Sequence, residues 1–429
     1  MTIPQLHQIF LQHQGISTDT RKIVPGTLFF ALKGDHFNGN RFAENALKAG
    51  ADYAIVDDDQ LPFHEHFIHV PDVLKALQEL AAYHRRQFQV PVIAITGTNG
   101  KTTTKELCNS VLSEKFKTIA TAGNLNNHIG VPLTLLSITK ETEIAIIEMG
   151  ANHPGEIDFL CNLADPGFGI ITNIGKAHLE GFGSIEGVIQ TKTELYRYLK
   201  NNNGMIFLNT DNQVLVSHSG GIRAVTYSTG NAANLRASDI TADPFVQMKL
   251  VSDHHEIRII SQLYGLYNAE NIMVAATMGF HFGIEPVKIK NAIESYLPSN
   301  NRSQVLQTKH NQVIMDAYNA NPSSMELAIK GFEKTSSRNR VLILGDMLEL
   351  GMESENEHKK ILELVKQKGI LDVYLVGPEF SKINTETVWH CFFDCELAGL
   401  WIAHHPFQDS TILIKGSRGM KLETLIPVL

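Results

Sequence analysis

A strand-like apolar run, Val92 to Thr96, leads directly into Gly97-Thr98-Asn99-Gly100-Lys101-Thr102-Thr103-Thr104 and then into a helix-like stretch from Lys105 to Leu112. Glycines between a strand and a helix let successive backbone N–H groups and the helix N-terminus face one anion. A lysine then adds a point charge, and a threonine hydroxyl can hold Mg²⁺. This is the chemistry of ATP phosphate binding, with Gly97, Thr98, Asn99, Gly100, Lys101, Thr102 and Thr103 as its residues. The spacing is irregular, because Ile95 stands where the standard pattern has its first glycine and Gly97 comes two residues later. An ordinary turn that contains Gly-Lys-Thr is the alternative. Two more groups sit at the ends of apolar runs: Glu148 closes Ile144-Ala145-Ile146-Ile147-Glu148, and His178 follows Gly169-Ile170-Ile171-Thr172-Asn173. On a parallel sheet these ends converge on the edge that carries the glycine loop, so a carboxylate and an imidazole would reach Mg²⁺ near the γ-phosphate. Taken singly, Glu148 would cap a turn and His178 would be a core histidine.

The elements that must position these groups read as α/β throughout. Residues 1–89 alternate short apolar runs, such as Thr27 to Leu32 and Tyr53 to Val56, with helical stretches at Arg41 to Ala49 and Val73 to Arg86. They form a small N-terminal α/β domain. Residues 90–298 carry the fully apolar runs of a parallel sheet covered on both faces, a P-loop ATPase-like domain. From Met205 to Gln262 shorter, alternating runs predict an antiparallel extension, followed by a helix over Asn268 to Phe282. Residues 299–429 repeat the theme with Val341 to Leu344, Val373 to Val376 and Thr411 to Ile414 around a helix at Glu355 to Lys368, a Rossmann-like α/β domain. Three domains also suit a length of 429 residues.

Composition narrows the function. A net charge of -8 without any Lys/Arg-rich run speaks against nucleic acid as a partner. No stretch has the length of a membrane span, and Met1 to Phe10 lacks the pattern of a secretory leader, so a cytoplasmic protein is expected. Cys108, Cys161, Cys391 and Cys395 show no metal-ligand spacing and read as reduced thiols, and the cluster His64, His66 and His69 lacks the residues to complete a metal site.

The segment Thr96 to Thr103 resembles the ATP loop of the Mur ligases, the amide-forming enzymes of peptidoglycan precursor synthesis. The resemblance spans nearly the whole chain, through Asp19-Thr20-Arg21, Ala31 to Gly34 and on to Gly50-Ala51, Gly123 to Pro132, Ala177 to Ser184, Asp316 to Pro322, Leu344 to Gly351 and Lys415 to Met420. These segments look most like those of the member that adds D-alanyl-D-alanine to UDP-N-acetylmuramoyl-tripeptide.

The resemblance implies that Lys101, Glu148, His178 and Lys192 are catalytic, with Thr102, Glu148, His178 and Lys192 around two Mg²⁺ ions. Lys192 matches the lysine that the family carries as a carbamate; the plain alternative is an exposed helical lysine. Asn268 and Asn271 match the segment near the adenine, and Asp316 the acid on the ATP ribose. Arg302 would reach phosphate, although Asn301 stands where the family usually has glycine. Thr20, Arg21 and the Gly34 to Arg41 loop would hold the uridine diphosphate, and Asn126 and Asn127 the muramoyl part. His128 stands where an acid or amide is more usual. Tyr318, Asn319 and Asn321 would flank nucleotide or substrate, and Lys415 and Arg418 would meet the acceptor carboxylate or an acyl-phosphate.

The implied reaction is ATP-dependent amide ligation through an acyl-phosphate in a monomeric enzyme, with UDP-N-acetylmuramoyl-tripeptide and D-alanyl-D-alanine as substrates and domain closure before chemistry. The competing readings are a Mur-type or folylpolyglutamate-type ligase with another acceptor, and a non-catalytic nucleotide-sugar-binding protein.

Overall fold

In the computed structural model, which describes residues 1–252, 254–335, 337 and 339–429 less the side chain of residue 179, the strands build one sheet per domain, with a two-stranded hairpin beside the first. The N-terminal sheet is short and wholly parallel: Ile16–Ser17, Leu28–Phe30, Tyr53–Val56 and Phe67–His69. The hairpin pairs Lys33–Gly34 with Phe37–Asn38.

The central sheet has nine strands. Val92–Thr96 lies between Phe168–Ile171 and Ile144–Glu148, with Thr118–Ala120 beyond the latter. The chain leaves Val92–Thr96 toward one side of the sheet and later returns on the other. That strand is therefore a topological switch point, and a crevice opens at its carboxyl end. Its five residues are all buried, as are those of Ile144–Glu148, so both faces must be covered.

The antiparallel extension begins later than the alternation suggests. Met205–Asn209 and Arg223–Ser228 continue the parallel sheet, and only Leu235–Ala242, Phe245–Ser252 and Glu256–Tyr264 form an antiparallel meander. Arg223–Ser228 is exposed over its first half, and that exposure produces the polar pattern. The helix after the glycine loop likewise starts at Lys101 rather than Lys105, because Gly100 at φ +78 serves as its N-cap.

The C-terminal sheet runs Gln304–Gln307, Gln312–Asp316, Thr411–Lys415, Arg340–Gly345, Asp372–Val376 and His390–Phe392, parallel except for its first strand.

The two domain junctions differ in kind. Helices Ile3–Leu11 and Val73–Arg85 of the N-terminal domain share one apolar core with Gly130–Leu135 and Glu156–Ala164 of the central domain, through Leu6, Phe10, Leu77, Leu80, Val131 and Leu160. Buried Arg85 closes this junction by donating to the carbonyls of Ala164, Asp165, Phe88 and Val90. The core of the C-terminal domain lies on the two faces of its own sheet and takes in Tyr264 of the central domain, while beside the ATP loop the contact between the two domains is polar.

Candidate active site

A cleft of about 430 Å³ opens where the switch point demands it, at the carboxyl ends of Val92–Thr96, Ile144–Glu148 and Phe168–Ile171. Its walls include Thr98, Asn99, Gly100, Lys101, Thr102, Thr103, Asn126, Asn127, His128, Glu148, His178, Asn268 and Asn271 from the central domain. Arg302, Asp316, Tyr318, Asn319, Asn321 and Lys415 face them from the C-terminal domain.

The glycine loop is held from behind. Thr98 N donates to the Asn173 carbonyl at 2.9 Å, Asn99 N to Asn173 Oδ1 at 3.0 Å, and Thr172 Oγ1 to the Asn99 carbonyl at 2.6 Å. Gly97 has φ +142, and a Cβ there would stand 2.0 Å from Thr172 Oγ1, so only glycine fits. At Gly100 a Cβ would meet Asn271 Oδ1 at 2.7 Å. Asn271 therefore packs on the phosphate loop, accepting from Thr104 Oγ1 at 2.9 Å and donating to Asn268 Oδ1 at 2.8 Å. Thr172 and Asn173 close the predicted strand Gly169 to Asn173 and lie just past the observed strand Phe168–Ile171, the same strand-end position that marks Glu148.

Lys101 folds back over the loop, its Nζ donating to the carbonyls of Gly97 at 2.7 Å and Thr98 at 3.0 Å. Burial lowers its pKa to about 8, against the opposing pull of Glu148 and with a smaller downward push from Arg302. Glu148 is almost wholly buried. Its Oε1 accepts from Thr102 Oγ1 at 3.1 Å and Asn126 Nδ2 at 2.7 Å, whereas the buried Oε2 has no partner among the described residues. A buried carboxylate oxygen without a donor is costly unless a ligand supplies the missing charge.

His178 sits at φ +50 and turns Nδ1 to Glu349 Oε2 of the C-terminal domain, 2.5 Å away. No group of three or more His, Cys, Asp or Glu that could hold a metal ion by itself occurs among the described residues. Lys192 does not line the cleft. It lies behind the wall with 2% of its surface exposed, its Nζ 3.4 Å from the carbonyl of Ala151, so the exposed-lysine alternative fails. Burial, then the charge of Lys101, lowers its pKa to about 7.

Across the cleft, Arg302 lies 3.5 Å above the centre of the Tyr318 ring and Arg418 lies 5.0 Å from it. Asn301 adopts φ +57, the left-handed conformation that glycine would take and that asparagine tolerates best among the other residues. Asn301 therefore holds the backbone conformation that a glycine would take before Arg302. Asp316 accepts from Ser303 N at 3.1 Å and pairs with Lys415 Nζ at 2.7 Å. Lys415 is thus no solvated loop cation: it ends a buried strand at the cleft wall, is 2% exposed, and has its ammonium on Asp316.

Polar contacts cross between the domains beside the ATP loop. Asn321 Nδ2 donates to Asn99 Oδ1 at 2.7 Å, Lys176 pairs with Glu357 at 2.9 Å, and His178 meets Glu349. Asn321 also caps the helix Pro322–Glu333, and Asn127 Oδ1 accepts from Ile129 N and Gly130 N at the start of Gly130–Leu135. Lys176 and Glu357 were not singled out in the sequence, and Glu349 only as part of the Leu344 to Gly351 segment, since each pairing joins residues more than 150 positions apart.

Thr20 and Arg21 stay outside the cleft. Arg21 is largely exposed and makes a bidentate pair with Asp19, which holds the Asp19 carboxyl down at about 2. The Gly34 to Arg41 segment turns sharply at Gly39, where a Cβ would lie 2.5 Å from the Leu32 carbonyl oxygen.

Three family models match the chain: "Mur ligase family, catalytic domain" over residues 12–85, "Mur ligase middle domain" over 95–279, and "Mur ligase, glutamate ligase domain" over 301–418. Two relatives bear the name UDP-N-acetylmuramoyl-tripeptide–D-alanyl-D-alanine ligase. The one from Bacillus subtilis (strain 168) is 34% identical over 99% of this chain and 94% of its own length, and the one from Escherichia coli (strain K12) is 37% identical over 96% and 93%. A crystal structure of MurF from Acinetobacter baumannii superposes with a TM-score of 0.88 at 30% identity, covering 99% of this chain and 98% of that one.

Proposed function

Because the chain belongs to the Mur ligase family, we propose that it adds D-alanyl-D-alanine to UDP-N-acetylmuramoyl-tripeptide with conversion of ATP to ADP and phosphate, a step of peptidoglycan precursor synthesis. The observation that carries the reading is the arrangement at the cleft floor. Buried Glu148 holds Thr102 while one of its oxygens lacks a donor, next to a glycine loop and Lys101.

In this reading the terminal carboxylate of the tripeptide attacks the γ-phosphorus of ATP, ADP leaves, and an acyl-phosphate forms. The amine of D-alanyl-D-alanine then attacks the acyl carbon, and phosphate departs from the tetrahedral intermediate to leave an amide. Lys101 and the N-terminus of Lys101–Leu112 draw charge from the phosphates and reduce the repulsion met by the incoming carboxylate. Arg302, stacked on Tyr318, is placed to hold the nucleotide from the opposite wall. Arg418 shares that ring and Lys415 lines the cleft beside Asp316, and both are the cations we assign to the acceptor carboxylate or the acyl-phosphate.

Mg²⁺ fits the donor set. The Thr102 hydroxyl and the unpartnered Glu148 oxygen are hard oxygen ligands of the kind that complete their shell with nucleotide phosphates and water. Bound there, the ion would act as a Lewis acid on the phosphoryl oxygens. A second ion near His178 would require another anion, and a carbamate on Lys192 would supply one. Lys192 suits that modification because its lowered pKa leaves much of the amine neutral at pH 7, ready to add CO2 and release a proton.

We place the domain divisions at 1–89, 90–298 and 299–429, and read the enzyme as a cytoplasmic monomer. No helix among the described residues is long and apolar enough to cross a membrane.

The deciding experiment follows phosphate release from ATP with mass detection of product. Release only when both substrates are present, together with the pentapeptide mass, is expected. Preference for a single amino acid or glutamate over D-alanyl-D-alanine would overturn the acceptor assignment.

A further inference from the structure

Lys105 is one turn past Lys101 and Thr102 on the ATP-binding helix, and it is 1% exposed. An aliphatic side chain would fill that site without the penalty of burying an ammonium. Lys105 instead meets three acceptors, one for each of its protons. Nζ lies 2.5 Å from the Thr121 carbonyl, 3.2 Å from the Gly123 carbonyl and 2.7 Å from Glu106 Oε1.

The turn it grips is tied to the cleft on its other side. The Thr121 hydroxyl accepts from Glu148 N at 2.9 Å. Five residues on, Asn126 donates to Glu148 Oε1 at 2.7 Å and accepts at its carbonyl from Gly150 N at 2.7 Å. A Cβ on Gly150 would stand 2.7 Å from Asn126 Oδ1, so the fit is close. Asn124, Asn126, Asn127 and His128 then form one wall of the cleft.

We propose that Lys105 is a positioning residue whose buried ammonium clasps the turn at 121–123 to the ATP-binding helix and thereby fixes the donor-binding loop 124–128 relative to Lys101 and Thr102. Neither cleft surface contains Lys105 itself. Its effect passes through two backbone carbonyls that have no other side-chain donor among the described residues, and the separation of the two substrates' reacting groups depends on that fixed distance.

The inference rests on assigning Asn126 and Asn127 to the donor, so its test reads the loop and the ligands separately. K105M and K105Q are compared with the unaltered enzyme by amide hydrogen exchange without ligands. Calorimetry then follows UDP-N-acetylmuramoyl-tripeptide and a non-hydrolysable ATP analogue with Mg²⁺. In K105M, exchange should quicken over 121–128 and stay unchanged over 97–104. Donor affinity should fall about tenfold, the scale of one lost charge-assisted hydrogen bond, with the ATP analogue within about twofold. K105Q keeps two donors and should recover part of the loss; it also carries the test where K105M does not fold. Unchanged exchange over 121–128, or equal weakening of donor and nucleotide, would overturn the clasp. Faster exchange with intact donor affinity would uphold the clasp and overturn the donor assignment.

Discussion

Glu148→Gln separates the cost of an unpaired buried carboxylate from its use. The glutamine oxygen can still accept from Thr102 and Asn126, while its amide nitrogen takes the place of the partnerless oxygen. In the ligand-free protein the substitution removes a buried anion lacking one of its donors, a defect worth about 1–3 kcal/mol. The apparent melting temperature should hold or rise by a few degrees, at about 2–4 °C per kcal/mol for domains of this size. With Mg²⁺ and ATP the sign reverses, since the ligand that would satisfy the oxygen loses its partner. Turnover should fall by about 10²–10³, the range for removing one electrostatic contact to the reacting group. Ligand-induced stabilisation of the unaltered enzyme should shrink as well. Differential scanning fluorimetry with and without Mg²⁺ and an ATP analogue, paired with phosphate release, reads both effects. A variant that melts several degrees lower without ligand, or keeps activity within about tenfold, would refute the reasoning.

Asn301→Gly should leave ATP affinity within about twofold, whereas Asn301→Val must enter a left-handed conformation at a cost of about 1–3 kcal/mol and should raise the KM for ATP about tenfold. Lys415→Met strands Asp316 at the cleft wall and should cost about 3 kcal/mol in a denaturant titration, with the double variant K415M/D316N recovering part. Burial lowers the pKa of both His7 and His84, which share a hydrogen bond of 2.9 Å at the junction of the first two domains. The unfolded chain then binds protons more readily, so their contribution is complete above pH 6.5 and is lost as pH falls below it. The slope should reach at most about 1.4 kcal/mol per pH unit for each proton taken up, and a melting series from pH 7.5 to 5 on the unaltered chain and on H84N, where it should flatten, checks it. Small-angle scattering should change when all ligands are added, and identical profiles would count against domain closure.

Much of the central domain was legible because burial on both faces leaves a simple trace. Val92–Thr96 and Ile144–Glu148 are uninterrupted apolar runs, and a polar residue at the carboxyl end of such a run has few places to be except the crevice. Glu148 was visible for that reason. Arg223–Ser228 was misread as antiparallel because exposure, not strand direction, sets its alternation. The pairing of Lys415 was not legible because its identity as a cation is local while its partner, Asp316, lies 99 residues earlier. Lys105 gave no signal at all: a lysine among threonines and a glutamate on a helix reads as a solvated face until the 121–123 turn is folded over it.

The two junctions also say which part of the molecule is free to move. Separating the first two domains would expose Leu6, Phe10, Leu77 and Leu160 and strip Arg85 of carbonyls on the far side, and nothing in water replaces buried apolar area. Separating the third domain would exchange Asn99–Asn321, Lys176–Glu357, His178–Glu349 and Lys176 N–Ser323 Oγ for water, a trade with little net cost per contact, and would uncover Tyr264. The smaller apolar cost predicts that relative motion belongs to the C-terminal domain. The same contacts begin on the ATP loop and its neighbouring strand end, and Arg302 stands at the start of the C-terminal domain. In the proposed reaction, ATP held by Asn99, Lys101 and Arg302 would therefore also bias where the acceptor amine is delivered.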